Sequence, residues 1–531
     1  MSPILLLAVS SFFFLFSSVS AAAGLGVGLV RSSTFLNCIS HHTPPLTHVN
    51  KLVLSVLAPK YQNIFQASIQ NPRFKFPGAP TPAFIITPES AVHVRAAVVC
   101  TKGLGLAVRV RSGGHDYEGL SYRANEPFVL IDLVNLRKVR VFPKRGMAKV
   151  QSGATLGELY YWIANRTKTH GFPAGTCPTI GVGGHFSGGG KGTLTRKYGL
   201  AADNILDAIV VKADGEIVNR EAMGEDLFWA IRGGGGGNFG IVVEWTIKLV
   251  PVPSKVTLFS TDEIEMYDGG TDLFYKWQKI APMLVDDLFI RATIYITGIE
   301  YLSTVKVSFN GFFLGTTSEL LSVLSAAFPE LGVMQKHCRE SSWIESVKAF
   351  NDGYKEGETI EVLLDRNHYK TGGPFKAKSD FVTQAISRKR LKAIWQVFLD
   401  IYPGMMILDP YGGMMDRISE FETPFPHRKG TLYSIQYYNN WSPMEAADEK
   451  KNLNRVKRLY NFMGPFVSKN PRASYVNYRD LDLGVNGNGG YNESKRWGES
   501  YFKGNFERLV KIKGKVDPEN FFRSEQSIPL P

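Results

Sequence analysis

From about Pro82 to Pro251, short apolar runs alternate with amphipathic stretches and glycine-rich turns, the pattern of a mixed helix-and-strand domain. Ala107 to Arg111 alternates as a strand and runs into a Ser112-Gly113-Gly114 turn, while Phe128 to Leu133 reads as a buried strand. Thr155 and Glu158 have the spacing of a capping box and open a helix whose apolar face is Leu156, Leu159, Tyr160 and Ile163. Ile209 to Val211 and Glu216 to Val218 flank Asp214-Gly215, a hairpin signal. After Pro251 and Pro253 the glycine-rich turns thin out. Alternating runs such as Thr304 to Phe309 and Leu432 to Tyr437 then mix with helices such as Ser318 to Ala327, which predicts a domain boundary near residue 252. An amphipathic stretch, Phe506 to Ile512, suits a tail that returns to the first domain.

The start of the chain is patterned differently. An apolar run from Ile4 to Phe16, broken by Ser10 and Ser11, leads into small residues up to Ala23 and predicts a secretory signal peptide over 1–22. The usual basic residue at the start is missing, and a run of about 13 residues is short for a membrane span. No later segment is long and apolar enough to cross a membrane. Secretion permits disulfides, and of Cys38, Cys100, Cys177 and Cys338 a Cys38–Cys100 bridge would contribute about 4 kcal/mol of loop entropy, although sequence alone leaves the pairing open. Sequons at Asn165, Asn440 and Asn492 agree with an extracellular glycoprotein.

A chain of 531 residues, 44% hydrophobic and 21% charged, predicts several packed domains. The net charge of +13 is scattered and lacks the motifs of a nucleic-acid module. Acidic wall polysaccharide is one partner such charge would attract, and solubility explains the charge equally well. Chemistry is signalled by three glycine clusters: Ser112 to His115, Gly181 to Gly190, and Gly233 to Gly237 before Asn238-Phe239-Gly240. Main chain without Cβ atoms can approach a pyrophosphate closely. Gly190-Lys191-Gly192 lacks the hydroxyl residue of a P-loop, and no Gly-x-Gly-x-x-Gly opens a helix after a strand, so neither ATP hydrolysis nor a Rossmann NAD site is read. No metal site is read either.

Five motifs then point to one family. RSGGHDYEG at Arg111–Gly119, GTCPTIGVGGH at Gly175–His185, RKYGLAAD at Arg196–Asp203, NYRD at Asn477–Asp480 and DPENFF at Asp517–Phe522 together resemble the plant berberine bridge enzyme-like flavoproteins over nearly the whole chain. The resemblance implies an α+β fold: a PCMH-type (vanillyl-alcohol-oxidase type) FAD-binding domain of two subdomains over 23–252, with its core at about 77–252. It further implies an inserted α/β substrate domain with an antiparallel sheet over 253–476 and a C-terminal segment, 477–531, returning to the FAD domain. It implies FAD bonded to His115 and Cys177, with Arg111, Ser112, Gly113, Gly114, Thr179, Gly181, Gly183, Gly184, His185, Gly240 and Ile241 at the cofactor. Tyr478 is then the base, with Tyr117 and Gln436 beside it, and hydride passes from a substrate carbon to the flavin.

A phenol has an ordinary pKa of about 10, so a tyrosine base needs a shift worth about 3 to 4 kcal/mol. One cation about 4 Å away supplies that much at an effective dielectric of about 20. This sequence departs from the family pattern at that cation, with Lys191 where many relatives have tyrosine and Ser434 where many have lysine. Either Lys191 supplies the charge from the opposite loop, or it points to solvent and Tyr478 is not activated. Ile180, where oxidases of the family tend to have valine, implies a dehydrogenase that shields its flavin from oxygen. The expected activity is oxidation of an alcohol or hemiacetal carbon, in an oligosaccharide first and a phenylpropanoid alcohol second, by a monomer in the apoplast or cell wall, with the vacuole as the alternative. The alternatives are oxidative cyclisation of an alkaloid or terpenophenol, and a non-redox cyclase or defence protein that retains FAD.

Overall fold

Phe128–Asp132 is buried along its whole length because it lies inside a four-stranded sheet, parallel to both Ala107–Arg111 and Phe84–Ile86. Val53–Ser55 closes the edge antiparallel to Phe84–Ile86. The helix Ala91–Gly103 crosses from Phe84–Ile86 to Ala107–Arg111, the two strands that flank Phe128–Asp132, and is started by Ser90, whose hydroxyl accepts from the His93 amide. The computed structural model describes residues 32–531 except 77, 299–301, 351–356, 369–372, 403, 443–448 and 488–489. The predicted signal segment lies outside the described residues.

A second, five-stranded antiparallel sheet runs in the order Val139–Phe142, Met147–Gln151, Ile241–Lys248, Ile205–Val211, Ile217–Val218. Its last pair is the hairpin predicted at Asp214-Gly215. Both arms of the predicted capping box form at Thr155 and Glu158, opening the helix Leu156–Arg166.

An eight-stranded antiparallel sheet is drawn from residues between Val256 and Ser341 and between Phe375 and Asn440. At its centre Leu288–Thr297, Gly404–Pro410 and Tyr433–Asn440 are consecutive neighbours, followed by Phe375–Val382 at the edge. Alternation along Tyr433–Asn440 puts Ser434, Gln436 and Tyr438 on one face.

The C-terminal helix Asn505–Val516 packs on Arg220–Ile231. The buried Lys513 ammonium donates to the carbonyls of Asn238 and Phe522 and to Asp517. Arg109, on the first sheet, donates to the carbonyl of Arg523 and pairs with Glu525. Cys38 is bonded to Cys100, which leaves Cys177 and Cys338 as free thiols. Of the sequons, Asn165 and Asn492 are exposed, whereas Asn440 is half-buried in a strand paired with Phe375.

The side chains of Arg111 and Ile241 are both buried. The Arg111 guanidinium is fully buried and donates to Asp132 and to the carbonyls of Ile64 and Phe65, each at 2.6 Å. It therefore anchors the strand end from which the Ser112–His115 turn departs. Ile241 is buried in the apolar core shared with Phe521 and Phe522, so its side chain packs the interior.

Replacing Arg111 strands the Asp132 carboxylate without its partner in a dry site. Arg111→Met is expected to lose roughly 3–5 kcal/mol of stability in urea unfolding, and a loss within ordinary surface-mutation scatter would show that the pair is not a structural anchor.

Candidate active site

The first glycine turn and the cysteine loop meet by main-chain contact. A Cβ on Gly113 would lie 2.3 Å from the Gly181 nitrogen, and one on Gly114, where φ is +72°, would lie 1.7 Å from the Ser68 carbonyl. Only glycine permits this approach and this left-handed backbone. The cysteine loop is pinned along its length. Leu156 and Gly157 amides, at the start of the capping-box helix, donate to the carbonyls of Ile180 and Pro178 at 2.9 and 2.8 Å. Tyr160 donates to the Gly175 carbonyl, and the buried His185 Nε2 accepts from the Gly175 amide at 2.9 Å. His185 is thereby a brace for this loop.

The result is that His115 and Cys177 face one hydroxyl: Thr179 Oγ1 lies 3.0 Å from His115 Nε2 and 3.5 Å from Cys177 Sγ. Burial pushes the imidazole of the half-buried His115 down to about 4, against the Thr179 main chain and aided by Arg366. It is neutral at physiological pH and keeps a nucleophilic ring nitrogen. Burial pushes the Cys177 thiol up, opposed by Thr179.

Beyond this pair the glycine clusters leave room. A Cβ on Gly184 or Gly237 would meet nothing within 4 Å, and one on Gly236 nothing closer than 3.7 Å. The Ser152 hydroxyl, beside Gly183, is buried with no hydrogen-bond partner among the described residues. A main-chain cradle free of Cβ atoms, with an orphaned hydroxyl and a neutral His and Cys beyond it, fits FAD. Gly240, at φ +149°, lies where a Cβ would come within 2.8 Å of the Val210 side chain and the Val211 carbonyl oxygen.

An aromatic and charged wall stands near Cys177. Tyr117 and Tyr478 stack with ring centroids 5.5 Å apart at 5°, and Phe375 stands edge-on to Tyr117. Gln436 donates to the Tyr117 hydroxyl at 2.6 Å. Burial, then Tyr478, Tyr438 and Cys177, push Tyr117 well above the usual phenol value, so it stays protonated. Lys191 does not reach solvent. It follows Gly190, whose left-handed φ of +83° turns it inward, and its ammonium lies 5.1 Å from the Tyr478 ring centre. It donates to Asp409 and to Ser434, both at 2.8 Å, so the two departures from the family pattern touch each other.

The FAD binding domain family matches residues 82–220, and the "Berberine and berberine like" family matches 474–529. Berberine bridge enzyme-like 24 of Arabidopsis thaliana is 47% identical over 502 residues, covering 93% of this chain and 92% of that protein. The chain belongs to the berberine bridge enzyme-like family of FAD-linked oxidoreductases. The monolignol oxidoreductase AtBBE-like 13 of Arabidopsis thaliana, another member, is 49% identical over 89% of this chain and 88% of its own. Among solved structures, wild-type Phl p 4.0202, a glucose dehydrogenase, is 45% identical with a TM-score of 0.87, over 94% of this chain and 99% of that one. A variant of Phl p 4 with valine in place of one isoleucine is a glucose oxidase. As a berberine bridge enzyme-like protein the chain is an FAD-binding enzyme with the PCMH-type α+β fold.

Sequence reasoning missed Asp409 and Arg291, which pair at 2.7 Å beside Lys191. An acidic residue closing the otherwise apolar run Met405 to Leu408 was the available signal. It also missed Lys376, whose buried ammonium bonds Glu118 and Asp480, each close in sequence to one of the stacked tyrosines.

The open space at Gly184 yields a test. Gly184→Val is expected to leave the fold intact by circular dichroism while sharply lowering the flavin-to-protein ratio, and full flavin content would place the cofactor elsewhere.

Proposed function

We propose that this protein is a secreted dehydrogenase with FAD bonded to both His115 and Cys177, oxidising the alcohol or hemiacetal carbon of an oligosaccharide or phenylpropanoid alcohol. The observation that carries the reading is the joint placement of His115 and Cys177 about Thr179, with the Tyr117–Tyr478 wall beyond them. The division at about residues 252 and 477 goes with it, as do residues 1–22 as a signal peptide. The Cys38–Cys100 bridge supports an extracellular location.

FAD, when bound, supplies the acceptor for the two electrons and hydrogen that leave the substrate carbon. The protein's part is proton handling and orientation. Because Gln436 donates to the Tyr117 oxygen, the hydrogen of that phenol is directed elsewhere and is available to a substrate oxygen. Tyr478, on the stacked ring beside it, takes the proton of the reacting hydroxyl. The Lys191 ammonium stands over that ring, 5.1 Å from its centre. Ile180, half-buried between Cys177 and Gly181, covers the approach of oxygen. The Phl p 4 pair, dehydrogenase with isoleucine and oxidase with valine, supports assigning that role here.

Substrate class is tested by adding cello-oligosaccharides, oligogalacturonides and monolignols anaerobically to the purified protein and following the flavin absorbance. One class is expected to bleach it rapidly. Acid-precipitated wild type should stay yellow, and so should either single replacement, His115→Ala or Cys177→Ala, while the double replacement releases its flavin. Retention by the double variant would refute both attachment points. Tyr478→Phe is expected to slow bleaching roughly a hundredfold to ten-thousandfold, as for loss of a general base. Ile180→Val should speed reoxidation by oxygen by about an order of magnitude, or about 1.4 kcal/mol of barrier, in stopped flow. An unchanged rate would remove Ile180 from gating.

A further inference from the structure

We propose that the paired helices Arg388–Leu399 and Glu449–Met463 form a docking surface for a linear polyuronate, a polysaccharide that carries carboxylates along its chain. The proposal deepens the reading of an extracellular enzyme and rests on it.

Charge that is scattered along the sequence is gathered by the fold. Arg388–Leu399 holds four basic residues and no acid, and Glu449–Met463 holds five and one, so these 27 residues carry +8 of the chain's +13. The acids that flank them in sequence, Asp400, Glu445 and Asp448, still leave +5. The two helices lie side by side and antiparallel. Just past the end of the first, Asp400 pairs with Arg458 at 3.0 Å and the Tyr402 carbonyl accepts from Arg455 at 3.1 Å. Arg390, near its start, stands 5.8 Å over the ring of Phe466, just past the end of the second. Both helices cover one face of the large sheet: Tyr460 meets the Tyr437 ring, and Trp395 bonds Thr271 and packs on Phe274, which meets Tyr433. Tyr433 and Tyr437 alternate with Ser434 and Gln436, so this layer is on the side of the sheet away from the tyrosine wall. A chain docked there leaves the site open.

These helices differ from the other basic stretches in leaving lysines unmatched. Lys389, Lys392, Lys450 and Lys457 are exposed and have no acid partner among the described residues. The acids of this layer are already taken, Asp272 by Arg388, Asp400 by Arg458 and Glu449 by Arg73. On the C-terminal helix Asn505–Val516, by contrast, Arg508 and Lys515 pair with Asp226, Lys511 with Glu507 and Lys513 with Asp517. Lys389 and Lys392 also stand three residues apart on one helix, a spacing at which like charges repel. An external anion relieves that repulsion.

The shape and the residue types select the ligand. Helices of this length extend about 18 and 22 Å, so the charges are spread as suits an extended chain with repeated carboxylates rather than one small anion. Lysine ammonium groups are flexible point charges that can follow such a chain. The arginines, whose planar forks favour phosphate, are engaged within the protein: Arg388 with Asp272, Arg390 on Phe466, Arg455 with Tyr402 and Arg458 with Asp400. A bilayer requires apolar side chains to insert. The exposed positions between the lysines are instead Ala393, Gln396, Asn454 and Asn461.

The experiment measures binding of the flavin-loaded protein to immobilised polygalacturonate, with cellulose and phosphatidylserine vesicles alongside. Wild type is expected to bind polygalacturonate, to come off as salt is raised, and to pass over cellulose. Lys389→Gln, Lys392→Gln, Lys450→Gln and Lys457→Gln combined should weaken binding roughly tenfold or more, with flavin content and thermal unfolding unchanged. Lys255→Gln, Lys495→Gln, Lys511→Gln and Lys515→Gln combined remove the same charge from exposed lysines that already pair with acids, and should weaken it far less. Equal weakening by the two sets would show attraction to net charge alone and overturn the proposal. So would salt-insensitive binding, equal binding to cellulose, tighter binding to the vesicles, or no binding. Lysine acetylation of wild type with and without polygalacturonate decides the matter should the first variant fail to fold: its four lysines should be protected and the control four not, and the reverse overturns the surface. Location is read separately. Fractionation that finds the protein inside the cell rather than in the wall overturns the extracellular reading, and this partner with it, whereas failure to bind in vitro overturns the docking surface alone.

Discussion

The segments that carry the two stacked tyrosines are tied to one strand by buried ammonium groups. Lys376, on the edge strand Phe375–Val382 of the large sheet, is almost inaccessible and bonds both Glu118 and Asp480. Glu118 follows Tyr117 directly, and Asp480 comes two residues after Tyr478. Lys378, two residues along the same strand, takes the other oxygen of Asp480 at 2.5 Å and reaches Asp482 at 2.8 Å. Carboxylates from the first glycine turn region and from the C-terminal segment are therefore fixed to one strand of the sheet between them. Removing the three acids and both lysines in favour of apolar groups could leave stability unchanged, since desolvation cancels much of what buried ion pairs contribute. What such a cluster adds is registry: an unpaired charge there is so costly that the segments can dock in only one way.

The cofactor side uses the opposite device, the absence of side chains. Gly113 and Gly181 approach so closely that any Cβ would prevent it, and this contact brings the His115 turn and the Cys177 loop to one hydroxyl. Rigidity then comes from outside the loop, from the capping-box helix, Tyr160 and His185. A neutral imidazole and a neutral thiol can be held side by side without repulsion, whereas two charged groups would need compensation. Charge is instead concentrated behind the tyrosine wall, where Lys191, Asp409 and Arg291 sit in line.

The chain's own order of residues determined the local elements and the residue types of the site. Thr155 and Glu158 specify a helix start because their side chains satisfy amides within three residues. Asp214-Gly215 specifies a hairpin for an equally local reason, and the glycine clusters with His115 and Cys177 declare a close approach to a ligand. Strand lengths were less legible: the run read as Leu432 to Tyr437 forms the strand Tyr433–Asn440, whose end depends on a partner strand far away in sequence. Only the tertiary structure decided where the polar side chains go. Arg111 and Ile241 look alike to a motif whether they face a cofactor or the core, and Lys191 looks alike whether it meets water or Asp409. Those choices are settled by burial and by partners hundreds of positions distant, Asp409 lying 218 residues from Lys191. Local sequence cannot encode them, because a hydrogen bond or an ion pair has its energy only once both groups have left water together.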